Sequence, residues 1–257
     1  VDKNFDVVYR VLTIADKKAC LYFIDGFTKD DSLLKILQGF SSIKADDMPE
    51  DAHSFSKKYL PYGEIGLLSD SREMIIQLLS GVSCLFIDGY NKCLTIDCRT
   101  YPARGVSEPE KDKVMRGSRD GFVETLLFNA NLIRRRIRSR DLCFSIHSVG
   151  SESKTDVVLA YLEGSVNQSL LEKLTKSIDA LQVSSLTMGA KSLEELLLPK
   201  RFWNPLPSIK MTERPDVACS YLTEGHILVL VDNSPMILIF PCTIFQFTQS
   251  PEDYYKS

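Results

Sequence analysis

The chain has 257 residues, of which 44% are apolar and 25% are charged, and its formal net charge is −3. These values are ordinary for a globular protein long enough to form one large core or two smaller ones, and they argue against wholesale disorder. The slightly acidic balance also argues against a nucleic-acid binder, because such a protein needs a strongly basic surface.

Seven cysteines form an odd set without a CxxC pair. Four of them lie inside apolar runs, which is typical of free cysteine acting as a small buried hydrophobe: Cys20, Cys84, Cys143 and Cys219. A reducing compartment therefore fits better than a disulfide framework. The most apolar stretch, 227–242, is interrupted at 232–235, so it predicts a hairpin rather than a membrane span, and we expect the chain to be soluble.

Period-2 runs, helical periodicity and turn residues predict the elements of the first half. In chain order these are strands at 7–14 and 19–24, a helix at 30–40, mostly loop and short helix at 43–66, a helix at 71–80 with Ser71 as its N-cap, and strands at 82–87 and 92–98. Asp25-Gly26 and Asp88-Gly89 supply turn signals after two of these strands.

The second half repeats this order. Its predicted elements are strands at 141–149 and 156–162, helices at 167–181 and 214–223, and strands at 226–231 and 236–239. Gly81 precedes Asp88 by the same spacing at which Gly225 precedes Asp232. The order and the spacing together indicate a duplicated β–β–α…α–β–β unit.

We therefore predict an α/β fold of two similar subdomains, each a small mixed β-sheet packed with helices. They are predicted at residues 1–104 and 141–257, with a linker and a basic connecting helix at 105–140 between them, because 100–121 is rich in Pro, Gly and charge. The connecting segment concentrates positive charge at Arg116, Arg119, Arg134, Arg135, Arg136, Arg138 and Arg140.

Three interpretations of this basic segment stay open at the level of composition. It could be a solvated helix face paired with carboxylates such as Glu108, Glu110 and Glu124. It could meet an anionic membrane surface, since basic residues are attracted to acidic lipid. It could also form a subunit contact, because the five-donor fork of arginine is enriched at interfaces.

No residue pattern predicts catalysis, a metal site or a cofactor. The histidines, His53, His147 and His226, are far apart, and the two in strand-like runs are expected to be hydrogen-bonded structural residues. Gly117 and Gly121 do not form a phosphate-binding loop. Carboxylates at the predicted turns are explained by local hydrogen bonds to the turning backbone.

The sequence contains a series of distinctive short segments: 102–104 (PAR), 107–114 (SEPEKDKV), 116–124 (RGSRDGFVE), 132–137 (LIRRRI), 213–216 (ERPD), 231–235 (VDNSP) and 250–255 (SPEDYY). In these segments the chain resembles the GerA-type spore germination proteins. The resemblance extends in order over nearly the whole chain. Within the family, 21–26, 99–104 and 153–156 are most similar to the branch of stage V sporulation protein AF.

The resemblance implies a cytoplasm-facing N-terminal region followed by a transmembrane bundle, in oligomeric membrane complexes. Such complexes transmit nutrient signals or help to release ions and dipicolinate during germination. We therefore expect a non-catalytic assembly and signal-transmission module, without a cofactor or nucleic acid, at the cytoplasmic (spore core) face of the inner spore membrane. Its expected partners are further copies of itself or related germination subunits, and the membrane through a C-terminal continuation.

With this resemblance, the subunit-contact interpretation becomes the preferred one. The expected subunit or linker contacts are Arg104, Glu108, Arg116, Gly117, Arg119, Gly121, Phe122, Glu124, Arg134, Arg135 and Arg136. The expected structural motif residues are Glu213, Arg214, Pro215, Asp216 and Asp232. Two alternatives stay open: a small-ligand binding module with a cleft between the lobes, and a soluble enzyme.

Overall fold

The computed structural model describes residues 3–60, 64–100, 120–197 and 209–241. They form two compact units. The first takes its described residues from 6–102 and 138–140, and the second from 2–5, 103–137 and 141–257. Each unit contains one five-stranded sheet with helices packed against it, which confirms the predicted α/β class with two similar subdomains.

The described residues of the first unit form eight helices and strands and a short 3-10 turn at Ala45–Asp47. They are, in chain order, β1 (Val7–Ile14), β2 (Lys17–Ile24), α1 (Asp30–Ser41), α2 (Ala52–Tyr59), β3 (Glu64–Leu68), α3 (Ser71–Leu79), β4 (Ser83–Ile87) and β5 (Cys93–Asp97). The strand order in the sheet is β1-β2-β4-β5-β3.

The second unit begins its described part with a helix and then follows the order of the first. Its elements are α4 (Leu126–Arg136), β6 (Leu142–Val149), β7 (Thr155–Leu162), α5 (Gln168–Asp179), α6 (Ala190–Leu197), β8 (Lys210–Thr212), α7 (Pro215–Thr223), β9 (Ile227–Val231) and β10 (Ile237–Phe240). The strand order is β6-β7-β9-β10-β8, the same topology as in the first unit. Every pair of named strands is antiparallel, whereas the sequence predicted mixed sheets.

The repeat extends to the strand registers. Val7 lies opposite Ile24 at the start of β1, and Leu142 lies opposite Leu162 at the start of β6. The registers of the remaining strands agree in the same way. Eight pairs of positions match in this way, with the residue of the first unit given before that of the second: Tyr9/Phe144, Tyr22/Ala160, Asp70/Arg214, Arg72/Asp216, Ile75/Cys219, Phe86/Leu230, Asp88/Asp232 and Gly89/Asn233.

The units differ in how their sheets are covered. In the second unit, α4 and α7 cover one face and α5 and α6 cover the other. In the first unit, α1 and α2 cover one face, and α3 lies on the opposite face, where Cys84 Sγ is 3.8 Å from the Met74 carbonyl oxygen. Within the described residues, no helix matches α4 in the first unit.

Some elements were not predicted. Strand β3 contains Gly66, and glycine is more typical of a loop than of a strand. A Cβ at this position would lie 2.5 Å from Thr95 Oγ1, so the close approach of β5 explains the glycine. Strand β8 and helix α6 were also missed. The N-cap of α3 is Asp70 rather than Ser71, because the Asp70 carboxylate accepts the Arg72 N–H at 3.0 Å.

Candidate functional site

Three of the family-like segments converge in the second unit. We call this cluster the motif junction: residues 120–126 with Asn129 on α4, residues 213–216 at the start of α7, and Asp232-Asn233 in the turn between β9 and β10. These segments are far apart in sequence, and hydrogen bonds between them join the start of α4, the start of α7 and the β9–β10 turn.

Backbone hydrogen bonds fix the extended residues ahead of α4. The Phe122 N–H donates to the Glu213 carbonyl oxygen at 2.8 Å, and the Asn233 N–H donates to the Glu124 carbonyl oxygen at 2.9 Å. The Asn129 side chain, fully buried, accepts from the Val123 N–H at 2.8 Å and donates to the Val123 carbonyl oxygen at 2.6 Å. Buried backbone groups need such partners, so these bonds hold the segment in place.

Asp232 caps helix α4 from another part of the chain. The N-cap residue, Thr125, makes no side-chain capping bond, and the Leu126 N–H instead donates to Asp232 Oδ1 at 3.2 Å. The first N–H groups of a helix have no partner inside the helix, and its N-terminus carries partial positive charge. The Asp232 carboxylate therefore satisfies one donor and complements the helix dipole.

A charge pair holds the start of α7. Arg214 is fully buried, and its guanidinium donates to both carboxylate oxygens of Asp216, from Nε to Oδ1 at 3.1 Å and from Nη2 to Oδ2 at 2.6 Å. Asp216 Oδ1 also accepts the Val217 N–H at 2.9 Å, while Pro215 occupies the first turn, where a missing N–H does no harm. Such bidentate pairs are both strong and geometrically specific.

The arginines of α4 are used inside the unit to different extents. Arg134 is fully buried: its Nη2 donates to Asn4 Oδ1 at 2.9 Å, and its guanidinium carbon lies 4.7 Å from the centre of the Phe144 ring. Arg136 Nη2 donates to Asp120 Oδ2 at 2.5 Å. Arg135 is exposed.

These positions bear on the predicted subunit contacts. Gly121, Phe122 and Arg134 are buried in the second unit and do not form its surface, whereas Glu124 and Arg135 are exposed. Arg136 is half-buried. The remaining predicted contacts lie outside the described residues: Arg104, Glu108, Arg116, Gly117 and Arg119. The contact role stays a prediction.

Cys219 lies beside the junction but is not a reactive thiol. Burial raises its pKa to about 12, and this effect exceeds the opposing influence of the nearby Arg136 guanidinium. Because the thiolate is the nucleophilic form, a thiol with this pKa is inert at neutral pH. The junction is therefore suited to holding elements together rather than to nucleophilic chemistry.

A serine, a histidine and an aspartate line up on the face of the sheet that α5 covers. His147 Nδ1 lies 2.8 Å from Asp179 Oδ1, and His147 Nε2 lies 3.0 Å from Ser145 Oγ. Ser145 sits in the middle of β6, not at the strand-to-helix turn where backbone N–H groups converge on an oxyanion. We interpret the row as a structural hydrogen-bond chain, as expected for His147. The i, i+2 spacing of Ser145 and His147 was its only sequence signal.

The described residues also bear on membrane, metal and ligand sites. Within the described ranges, no helix has both the length and the apolar character of a membrane span, and no three His, Cys, Asp or Glu side chains are grouped to hold a metal ion. The first unit has a surface pocket of about 540 Å³, lined in part by Lys29, Lys35, Tyr59 and Asp97. The ligand cleft predicted between the lobes stays a prediction.

Comparisons with known proteins agree with the resemblance found in the sequence. Residues 1–257 match the family described as Bacillus/Clostridium GerA spore germination protein. Stage V sporulation protein AF of Bacillus subtilis (strain 168) is 35% identical over 99% of this chain and 52% of that protein. Spore germination protein B1 of the same organism is 30% identical over 98% of this chain and 52% of that protein. The chain thus spans about half the length of these relatives.

A solved structure shares the fold. The crystal structure of the N-terminal domain of the A subunit of the Bacillus megaterium spore germinant receptor GerK3 matches with a TM-score of 0.71 and 25% sequence identity. The match covers 95% of this chain and 91% of that domain. Together with the match along the whole sequence, this establishes that the chain belongs to the GerA family of spore germination proteins.

Proposed function

We propose that this chain is the N-terminal assembly and signal-transmission module of a spore germination protein and that it is non-catalytic. The observation that carries the proposal is the fold match to the N-terminal domain of a germinant receptor A subunit, which is nearly complete over both chains. On this proposal, the module works at the cytoplasmic face of the inner spore membrane. A C-terminal continuation enters the membrane, and the complex serves germination with release of ions or dipicolinate.

The geometry of the motif junction supports a transmitting role. The residues that resemble the family motifs are used in caps, backbone hydrogen bonds and a bidentate ion pair, and they join α4, α7 and the β9–β10 turn. Elements joined in this way move together, and packed interiors transmit displacement rather than absorb it. A push on the exposed side of α4 would therefore reach the sheet through Asp232 and Asn233.

The proposed partner contacts are the exposed side chains of Glu124 and Arg135 together with Arg116 and Arg119, which lie outside the described residues. The partner would be a second copy of this chain or a related germination subunit. Arginine suits such a surface because its guanidinium forms planar, paired hydrogen bonds with carboxylates.

The test is a charge reversal in the full-length protein. Arg116→Glu together with Arg119→Glu should lower recovery of the assembled membrane complex, and the germination response, by about tenfold or more, since like charges would meet across the contact. Lys173→Glu together with Lys191→Glu is the matched control, because both lysines are exposed on α5 and α6 of the second unit. Normal assembly and germination of the arginine variant would overturn the proposal.

A further inference from the structure

The first unit exposes aromatic and aliphatic side chains on the sheet face that carries α3. We call this the open face: Tyr9 on β1, Tyr22 on β2, Ile75 on α3 and Phe86 on β4. Tyr9, Ile75 and Phe86 are 51%, 40% and 38% exposed. The three rings form a row, because the centres of Tyr9 and Tyr22, and of Tyr22 and Phe86, are 5.8 Å apart in each case.

The matched positions of the second unit are all buried. Phe144, Ala160 and Leu230 are 0% exposed, and Cys219 is 7% exposed. They belong to the apolar cluster to which α4 contributes Leu126, Ala130, Leu132 and Ile133. The two faces have the same strands in the same register, so the presence of α4 accounts for the difference in exposure.

The first unit also has, at the matched turn, the carboxylate and the backbone N–H that bind the start of α4 in the second unit. Asp232 accepts the first N–H of α4, and the Asn233 N–H binds the carbonyl oxygen of Glu124 just ahead of the helix. Their counterparts, Asp88 and Gly89, are exposed and occupy the same turn, with positive φ angles of 60° at Asn233 and 82° at Gly89. Among the described residues, neither the Asp88 carboxylate nor the Gly89 N–H has a hydrogen-bond partner.

We propose that the open face is the docking site of an amphipathic helix of the same polypeptide that precedes Val1. Its N-terminus would lie at Asp88 and its apolar side on Tyr9, Tyr22, Ile75 and Phe86. The location along the chain follows from the repeat. Helix α4 ends at Arg136, shortly before β6 begins at Leu142, and the same spacing ahead of Val7 ends the matching helix at Val1.

A helix of the same polypeptide fits this face better than a separate molecule. A short connection gives the docked segment a high effective concentration, so that modest contacts suffice to keep it in place. The connection from α4 to β6, at residues 137–141, provides such a short tether in the second unit. Residues 2–6, ahead of β1, match residues 137–141 in the repeat and would supply a connection of the same length.

Hydroxyl-radical footprinting of two forms of the protein tests the proposal. One form begins at Val1, and the other is extended by the residues that precede Val1 in the parent protein. In the extended form the oxidation rates of Tyr9 and Phe86 should fall by about tenfold, because a docked helix removes both side chains from solvent. Val11 is the internal control: it is 71% exposed, and its counterpart Ile146 is still 45% exposed although α4 is present.

A substitution sharpens the test. Asp88→Ala in the extended form should raise Tyr9 and Phe86 oxidation by about fivefold through loss of the helix cap, while Asp46→Ala, at another exposed aspartate of the first unit, should not. Equal oxidation of Tyr9 and Phe86 in the two forms would overturn the proposal. The proposal would also be overturned if Tyr9 and Phe86 were protected from oxidation in the form that begins at Val1 and lost this protection on dilution. That result would show that a second copy of the chain covers the face. A parent protein with too few residues ahead of Val1 to form a helix as long as α4, which has 11 residues, would overturn the proposal as well.

Discussion

The two units share a topology and a strand register, yet their matched sheet faces have different chemistry. Under α4, the second unit has Phe144, Ala160 and Leu230 at positions where the first unit has Tyr9, Tyr22 and Phe86. The exposed face has two tyrosines and a phenylalanine, whereas the covered face has a phenylalanine, an alanine and a leucine, none of which carries a polar side-chain atom. The repeat therefore preserves strand pairing, while the covering helix determines which side chains a face carries.

The starts of α3 and α7 show the same contrast in charge. The second unit has Arg214 and Asp216 where the first has Asp70 and Arg72, so the charges are exchanged. At the exposed start of α3, Asp70 acts as an ordinary N-cap and accepts a backbone N–H. At the buried start of α7, the arginine needs its carboxylate, because an unpaired buried charge is strongly unfavourable.

The largest expected difference concerns the ring under α4. Phe144→Ala should lower the free energy of unfolding of the second unit by about 3–5 kcal/mol, because it leaves a cavity between α4 and the sheet. In the chain that begins at Val1, Tyr9→Ala should lower the free energy of unfolding of the first unit by about 1 kcal/mol or less. Urea unfolding followed by circular dichroism measures both, and equal losses would contradict the comparison.

The charge exchange gives the next largest effect. Asp216→Ala should lower the free energy of unfolding by about 3 kcal/mol, because it leaves the buried Arg214 guanidinium without its carboxylate. Arg72→Ala, at the matched exposed position, should change it by at most about 0.5 kcal/mol. The double variant Arg214→Met, Asp216→Ala should recover part of the loss in urea unfolding, since it also removes the charge. No recovery would show that the pair is not the cause.

Much of the fold could be predicted because its elements are short and locally marked. The prediction for β1 matches its observed bounds, and α5 begins after Asn167, whose side chain caps it by accepting the Leu170 N–H at 3.1 Å. Strands β3 and β8 were missed for a physical reason. Strand β3 contains a glycine, which the nearby Thr95 requires and which is not typical of a strand. Strand β8 has only 3 residues.

The motif junction could be predicted only in part. The family resemblance pointed to Asp232 and Arg214 as structural residues, but their partners are set by tertiary packing. Asp232 caps a helix 106 residues away, which no local pattern encodes. Asn129 lies within the predicted linker and connecting helix at 105–140, but its two hydrogen bonds to the Val123 backbone depend on how the chain enters α4. The burial of Arg134 was missed because an arginine-rich run normally indicates a solvated surface.

The covered face should also respond to alkaline pH. Burial raises the pKa of Cys219 to about 12, so the folded state keeps a proton that the unfolded state releases above its ordinary pKa. The stability of the second unit should therefore fall as the pH rises above about 9, by about 2 kcal/mol at pH 10.5. Cys219→Ala should flatten this dependence in urea unfolding at several pH values. Ile75→Ala, at the matched position, should leave the slope unchanged, and an unchanged slope in Cys219→Ala would exclude the thiol as its source.

The smallest expected effect concerns the turn that caps α4. Asp232→Ala should lower the free energy of unfolding by about 1 kcal/mol, because it removes the acceptor for the Leu126 N–H, and Asp232→Asn should retain most of the stability. In the chain that begins at Val1, Asp88→Ala should change the stability by at most about 0.5 kcal/mol, since its carboxylate is exposed. Urea unfolding of the three variants decides between capping and a turn effect. If both alanine variants lose the same stability, the aspartates act through their own turns, because among the described residues Asp232 caps a helix and Asp88 does not.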